Sequence, residues 1–258
     1  MAIRRDITRE TALEAELLHS RKMEALGVLA GQLAHDFNNL LTIIIGSMEL
    51  VMEEIPKNGV GMKLAEGILQ ASKESASLIK QLLIFARRQE YTLRVLNLNE
   101  VLTEVRILLD RLIGKAIKTE YKLAPDLALV SMEAEQFKQA LINLVINAKD
   151  AMPAGGAITV ATLNRSVGRD GGSPALRPGD YVVVEIADTG SGIPAAALPH
   201  IFEPFFTTKP KGKGTGLGLS TVYGVVKQHA GEIFAENRPG GGALFSIYLP
   251  AVKAKNEG

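Results

Sequence analysis

His35 stands beside Asp36 and four residues before Asn39 in Ala34-His35-Asp36-Phe37-Asn38-Asn39-Leu40. An imidazole becomes a useful nucleophile when a carboxylate holds one ring nitrogen and so fixes the tautomer, leaving the other nitrogen basic. Adjacent helical residues do not strictly face each other, so the Asp36 contact depends on rotamer, whereas Asn39 shares the histidine's face and its amide can position a water there. Position alone makes an exposed helical histidine or asparagine an ordinary surface residue; the neighbouring carboxylate is what raises the chemical reading. Far downstream, Gly212-Lys213-Gly214-Thr215-Gly216-Leu217-Gly218 runs into a helical pattern. A flexible basic loop at a helix N-terminus suits a polyphosphate through its amides and the helix dipole. It is not a Walker loop, because Gly212-Lys213 is followed by glycine, and no glycine set here has the dinucleotide spacing. A nucleophile and a phosphate cradle in one chain are the parts needed for phosphoryl transfer within it.

Two further groups lie between them. Asn143, Asn147 and Asp150 fall at i, i+4 and i+7, one stripe of a helix whose other side carries Leu141, Leu144, Val145, Ala148 and Met152. Asparagines are mediocre helix formers, so the stripe is either a set of oxygen ligands for a hard cation such as magnesium or a solvated face. Asp188-Thr189-Gly190-Ser191-Gly192-Ile193 follows an apolar strand, and an aspartate there can accept from an amino group such as that of adenine. Phe202-Glu203-Pro204-Phe205-Phe206-Thr207-Thr208-Lys209 places three aromatics before the glycine loop, an apolar plug fit to anchor a mobile lid.

The elements that must hold these residues fall into two textures. Leu26, Ala30, Leu33, Phe37, Leu40, Ile44, Ser47, Val51 and Ile55 step by threes and fours, as do Leu64, Ile68, Ala71, Ser75, Leu78, Leu82 and Phe85, with Pro56-Lys57-Asn58-Gly59 breaking the pattern between them. Two long helices in an antiparallel hairpin bury too little alone, so a homodimeric four-helix bundle is expected, with His35 off its seam. After Tyr91 the pattern alternates: helices at about 99–113, 133–152 and 217–229, strands near 117–123, 157–163, 181–187, 231–236 and 243–249. The closing hairpin turns at Arg238-Pro239-Gly240-Gly241-Gly242. This is an α+β sandwich with helices on one face of a sheet.

Composition narrows the class. The 258 residues are 47% hydrophobic and 22% charged, enough for one large or two smaller cored domains, and the net charge of +1 disfavours a nucleic-acid or other polyanion binder despite the Lys209, Lys211 and Lys213 cluster. The absence of cysteine excludes disulfides, thiol catalysis and thiolate metal sites. The apolar run from Leu40 to Met48 falls short of the roughly 20 residues that span a bilayer. No membrane contact by this chain is expected, and a cytoplasmic location is.

At this point the residues resemble a sensor histidine kinase over nearly the whole chain. Ala34 to Leu41 resembles the H box, in the form of nitrogen-regulation-type and hybrid kinases. Asn143 to Ala148 resembles the N box, Asp188 to Ile193 the G1 box, Phe202 to Phe206 the F box and Gly214 to Gly218 the G2 box. The resemblance implies an all-α dimeric helical hairpin followed by an α+β sandwich of the Bergerat, or GHKL, ATP-binding type. It implies a linker at 1–20, a dimerisation and phosphotransfer domain at 21–91, a hinge at 92–96, a catalytic domain at 97–251 and a tail at 252–258. By the same resemblance His35 is the phosphoacceptor, Asp36 its general base and Asn39 the water-orienting residue for phosphatase action on a response regulator. ATP is held by Asp188 at the adenine and by Gly190, Gly192, Phe202, Gly214, Thr215, Gly216, Leu217 and Gly218. Asn147, helped by Asn143, holds Mg2+, and Lys149 or the lid lysines such as Lys209 contact phosphate. The sequence departs from the pattern at Leu40, where a proline is frequent, and at Asp150, where many relatives carry a basic residue. Arg5-Asp6-Ile7-Thr8-Arg9-Glu10 more weakly resembles the end of a PAS sensor domain entering a signalling helix. Two other readings remain at this stage: a GHKL ATPase without histidine phosphorylation, and a non-enzymatic dimeric scaffold.

Overall fold

A computed structural model describes residues 37, 39–86, 92–168, 176–210 and 214–252. His35 and Asp36 lie outside the described residues, as do Lys211 and Lys213. The chain divides into two compact units, Met1–Gln89 and Glu90–Gly258.

In the first unit, helix α1 is described over 39–54 and α2 spans Val60–Ala86. The connection 55–59 is short, and connections of this length join antiparallel neighbours. Each helix carries two apolar stripes one residue apart. Leu41, Ile45, Met48 and Met52 of the first are half-buried, and Met62, Ala65 and Ser72 of the second are buried. The sequence seam is the other stripe: Phe37, Leu40, Ile44, Val51, Leu64 and Ile68 are all exposed in the single chain. A heptad pattern does not by itself distinguish the contact within a hairpin from the face left for another helix.

The second unit is a five-stranded sheet with three helices packed on one face. After β1 (Arg94–Leu96) come α3 (Leu98–Ile113), β2 (Ile117–Lys122), β3 (Val130–Met132), α4 (Ala134–Asp150), β4 (Gly156–Val167), β5 (Gly179–Asp188), α5 (Gly218–Gln228), β6 (Glu232–Asn237) and β7 (Ala243–Pro250). The strand order is β2-β4-β5-β7-β6, with β2 and β4 parallel and the other neighbours antiparallel. Alternation sends Ile158 and Val160, then Val182, Val184 and Ile186, then Phe245, Ile247 and Leu249 to the helix side, where each is buried. Leu98, Leu102 and Leu109 of α3 and Phe137, Leu141 and Leu144 of α4 meet them at helical spacing. The opposite face carries a smaller cluster of Tyr181, Val183 and Tyr248. The segment 92–96, expected as a hinge, includes β1, which pairs with β3 as a separate two-stranded sheet.

The ends of α4 are fixed by side chains. Glu133 caps its N-terminus, its carboxylate accepting from the amides of Glu135 at 3.1 Å and Gln136 at 2.7 Å. Buried His229, just past α5, ties the two helices together: Nε2 accepts from the Glu133 amide at 3.2 Å and Nδ1–H donates to the Val225 carbonyl at 2.7 Å. At the other end the Lys149 ammonium donates to the Leu112 carbonyl of α3 at 2.6 Å.

Phe137 is fully buried under α4. Phe137→Ala should cost about 3–5 kcal/mol, read as a lower urea midpoint with an unchanged slope.

Candidate nucleotide site

Antiparallel pairing with both β4 and β7 fixes the end of β5, and there it delivers Asp188 to a position where only 3% of the residue is exposed. Its Oδ1 accepts from the amides of Gly190 at 2.8 Å and Ala243 at 3.2 Å, and Oδ2 has no partner among the described residues. A buried carboxylate with one oxygen satisfied and one idle is poised to accept from an external N–H donor.

The Asp188 loop is held from two sides. Toward α4, the Ser191 amide donates to the Ala151 carbonyl at 3.1 Å. Toward the β6–β7 hairpin, Asn237 clips the Ile193 backbone, accepting from its amide and donating to its carbonyl, both at 2.7 Å. Arg238 Nη1 donates to the Asp188 carbonyl at 2.9 Å. Gly192 takes φ 72° beside Asn237. Gly242, at φ 85°, lies so close that a Cβ would stand 2.0 Å from the Asp188 carbonyl oxygen. Asn237, Arg238 and Gly242 escape the sequence reading, which takes Arg238 and Gly242 as hairpin turn and gives Asn237, just before it, no role. The signal available is Pro239 followed by three glycines, more than a tight turn requires.

The α4 stripe is graded from inside to out. Asn143 is buried, Asn147 half-buried and Asp150 exposed. Asn143 Nδ2 donates to the Gly218 carbonyl at 3.2 Å while its Oδ1 accepts from Gln139 at 3.2 Å, so its amide seats the start of α5. Asn147 Oδ1 accepts from the Lys209 ammonium at 3.3 Å, and that ammonium also lies 2.5 Å from Asp150 Oδ2. A positive group beside the Asn147 oxygen matches the hard-donor chemistry that magnesium requires. Lys149, expected at phosphate, instead bonds the end of α3.

The lid is anchored by two of its three aromatics. Phe202 packs on Tyr223 of α5 at 5.6 Å between ring centroids, and Phe206 on His200 at 5.8 Å. Phe205 departs from the expected plug: it is 55% exposed at φ 64°. Its backbone rather than its ring makes the contact, its amide donating to the Gly216 carbonyl at 3.0 Å. At φ 66°, Gly216 approaches so closely that a Cβ would lie 2.3 Å from Phe205 C. Thr215 Oγ1 then accepts from the Leu217 amide at 3.3 Å, and Leu217 is buried at the entry to α5. Gly214 lies against Thr207 and Lys209, joining the two arms of the lid. The structure thus brings Asn143, Asn147, Lys209, Thr215, Leu217 and the loop glycines together around α4 and α5, with Asp188 at the adjoining strand end. Asn39 is exposed on α1 in the other unit.

A mixed sheet under three helices, a buried aspartate at a strand end and a glycine loop before α5 are the parts of a nucleotide-binding domain. The family model "Histidine kinase-, DNA gyrase B-, and HSP90-like ATPase" matches residues 132–253, and "His Kinase A (phospho-acceptor) domain" matches 25–90. The chain is 46% identical over 252 residues to Sensor kinase CckA of Brucella abortus (strain 2308), covering 95% of this chain and 26% of that protein. It is 34% identical over 239 residues to Sensor histidine kinase ZraS of Klebsiella oxytoca, covering 92% and 49% respectively. Among solved structures, the nucleotide-free catalytic domain of histidine kinase ThkA is 32% identical with a TM-score of 0.52, covering 62% of this chain and 96% of that one. ThkA in complex with response regulator protein TrrA is 26% identical with a TM-score of 0.60, covering 96% and 68%. The chain belongs to the histidine kinases. It spans about a quarter of CckA's length and half of ZraS's.

Gly242→Ala should push the hairpin off Asp188 and weaken ATP binding by roughly tenfold or more while the sheet stays folded. Calorimetric titration alongside circular dichroism checks both halves of that expectation.

Proposed function

We propose that this chain is the transmitter part of a longer sensor: it binds ATP in its second unit, phosphorylates His35, and passes the phosphoryl group to an aspartate of a response-regulator receiver. The observation that carries the nucleotide half is buried Asp188, whose idle Oδ2 suits the adenine amino group. For the phosphate end we assign Asn147 to magnesium, with Asn143 supporting it by seating α5, and the lid glycines to the phosphates. A magnesium ion held there would neutralise phosphate charge as the reaction proceeds.

In the first transfer, one ring nitrogen of His35 forms a P–N bond as the bond between the γ-phosphorus and ADP breaks. Asp36 is assigned to take the proton that the other ring nitrogen gives up. In the second, the P–N bond breaks as the receiver's carboxylate takes the phosphoryl group, and the proton held by Asp36 returns to the ring, so the imidazole leaves neutral. Asn39, exposed on α1, is assigned to orient water for dephosphorylating the receiver. The exposed stripe Leu40, Ile44, Val51, Leu64 and Ile68 supports a second copy as the partner that completes a four-helix bundle. A PAS-like sensor upstream of the hairpin belongs to the same reading, as does a cytoplasmic location, where ATP is available.

Incubation with γ-labelled ATP should give acid-labile, base-stable label on the parent and none on His35→Gln. A parent that hydrolyses ATP without taking such label would return the chain to a GHKL ATPase with no histidine phosphorylation, and equal labelling of the two would move the phosphoacceptor away from His35. Asn39→Ala should keep the label while slowing receiver dephosphorylation by roughly tenfold or more. Leu40→Lys with Ile44→Lys should convert a dimeric mass to a monomeric one by light scattering.

A further inference from the structure

Asp150 has no part in the roles above, and an acidic residue beside a polyphosphate site needs a physical reason. Its Oδ2 lies 2.5 Å from the Lys209 ammonium, which lies 3.3 Å from Asn147 Oδ1. Asn147 and Asp150 are three residues apart on α4, so the two oxygens face one spot. The lysine is held along its length as well. Its amide donates to Thr207 Oγ1 at 3.1 Å, and a Cβ on Gly214 would come within 3.1 Å of its Cδ. One side chain therefore ties both arms of the lid, 207–210 and 214–216, to α4. The tie uses the Asn147 oxygen assigned to the metal, and an ammonium and a divalent cation cannot share that oxygen without strong like-charge repulsion.

We infer that Asp150 is a positioning residue: in the nucleotide-free protein it holds the Lys209 ammonium at the cation's place beside Asn147, and it releases that ammonium to the polyphosphate when metal-bound nucleotide enters. The inference rests on the nucleotide reading of the site. Asp150 keeps the lid folded against α4 before nucleotide arrives, and it competes with phosphate for the lysine. Removing Asp150 and removing Lys209 should therefore act alike on the free lid and oppositely on affinity. A surface pair of merely structural value would not divide the two readouts in this way.

The experiment uses the full chain at low salt, with ADP and magnesium as the probe. Amide hydrogen exchange across 205–216 is measured without nucleotide, and ADP affinity by calorimetry. Asp150→Asn and Lys209→Ala should each speed lid exchange several-fold, and the double variant should be no faster than either, as expected when both act through one contact. ADP affinity should rise roughly threefold in Asp150→Asn, the scale of one half-exposed ion pair, and fall roughly tenfold in Lys209→Ala. Asp150→Glu should restore parental lid exchange. Exchange across 137–145 of α4 reports folding independently and should match the parent in every variant. Unchanged lid exchange in Asp150→Asn, or ADP affinity falling in it as in Lys209→Ala, overturns the inference while leaving the nucleotide site standing. A parent chain that binds no ADP overturns the nucleotide reading itself, and this inference with it.

Discussion

The second unit is organised around one costly group, the Asp188 carboxylate buried at the end of β5. Carboxylates are rarely buried without partners, because water must be replaced by donors of the right geometry. Two elements supply those donors: the loop that follows β5, through Gly190, and the first residue of β7, through Ala243. Meeting that requirement dictates much else. The β6–β7 hairpin must come within a Cβ radius of the Asp188 backbone, which Gly242 permits, and Asn237 and Arg238 then lock the hairpin to the loop. The remaining carboxylate oxygen is what makes this arrangement a site rather than a turn.

Helix α4 is the wall against which the other parts are set. The Asp188 loop reaches it through Ser191 and Ala151, α5 through Asn143 and Gly218, and the lid through Lys209, Asn147 and Asp150. These contacts run from Asn143 through Asn147 and Asp150 to Ala151 at the helix C-cap, so one rigid helix sets α5, the lid and the Asp188 loop along a single axis. The deepest residue of the stripe is buried and the outermost exposed, so the same spacing grades the polar groups from the core to the solvent. The lid contact is the one made through a long, partly exposed side chain, and it is the contact that nucleotide must rearrange.

Much of this was legible in the sequence because period and position agree. The α4 stripe was readable since Leu141, Leu144, Val145 and Ala148 claim the packed side and leave Asn143, Asn147 and Asp150 together. The five sheet strands were readable from alternation, although β4 and β5 run longer than the pattern suggests because each pairs along its length with a partner. Strands β1 and β3 are three residues each, too short to show a period, and exist through their mutual pairing. Phe205 looks like an anchor in composition, but the backbone bond to Gly216 fixes its conformation and leaves its ring outside. Asn237 and Arg238 act through backbone groups 44 and 50 residues away, contacts that no local pattern encodes. In the hairpin the sequence seam is the exposed stripe, since a chain read alone does not say which of two apolar faces its own partner helix covers.

The claim that the site is built around Asp188 to read adenine is tested most directly by the base itself. Calorimetric titration with ADP and with the purine riboside diphosphate that lacks the 6-amino group compares the two ligands on one unmodified protein. Loss of a hydrogen bond to a buried, charged acceptor should weaken the second ligand roughly tenfold or more. Equal affinities would mean that Asp188 Oδ2 meets no adenine amino group, and the account of the site would be contradicted.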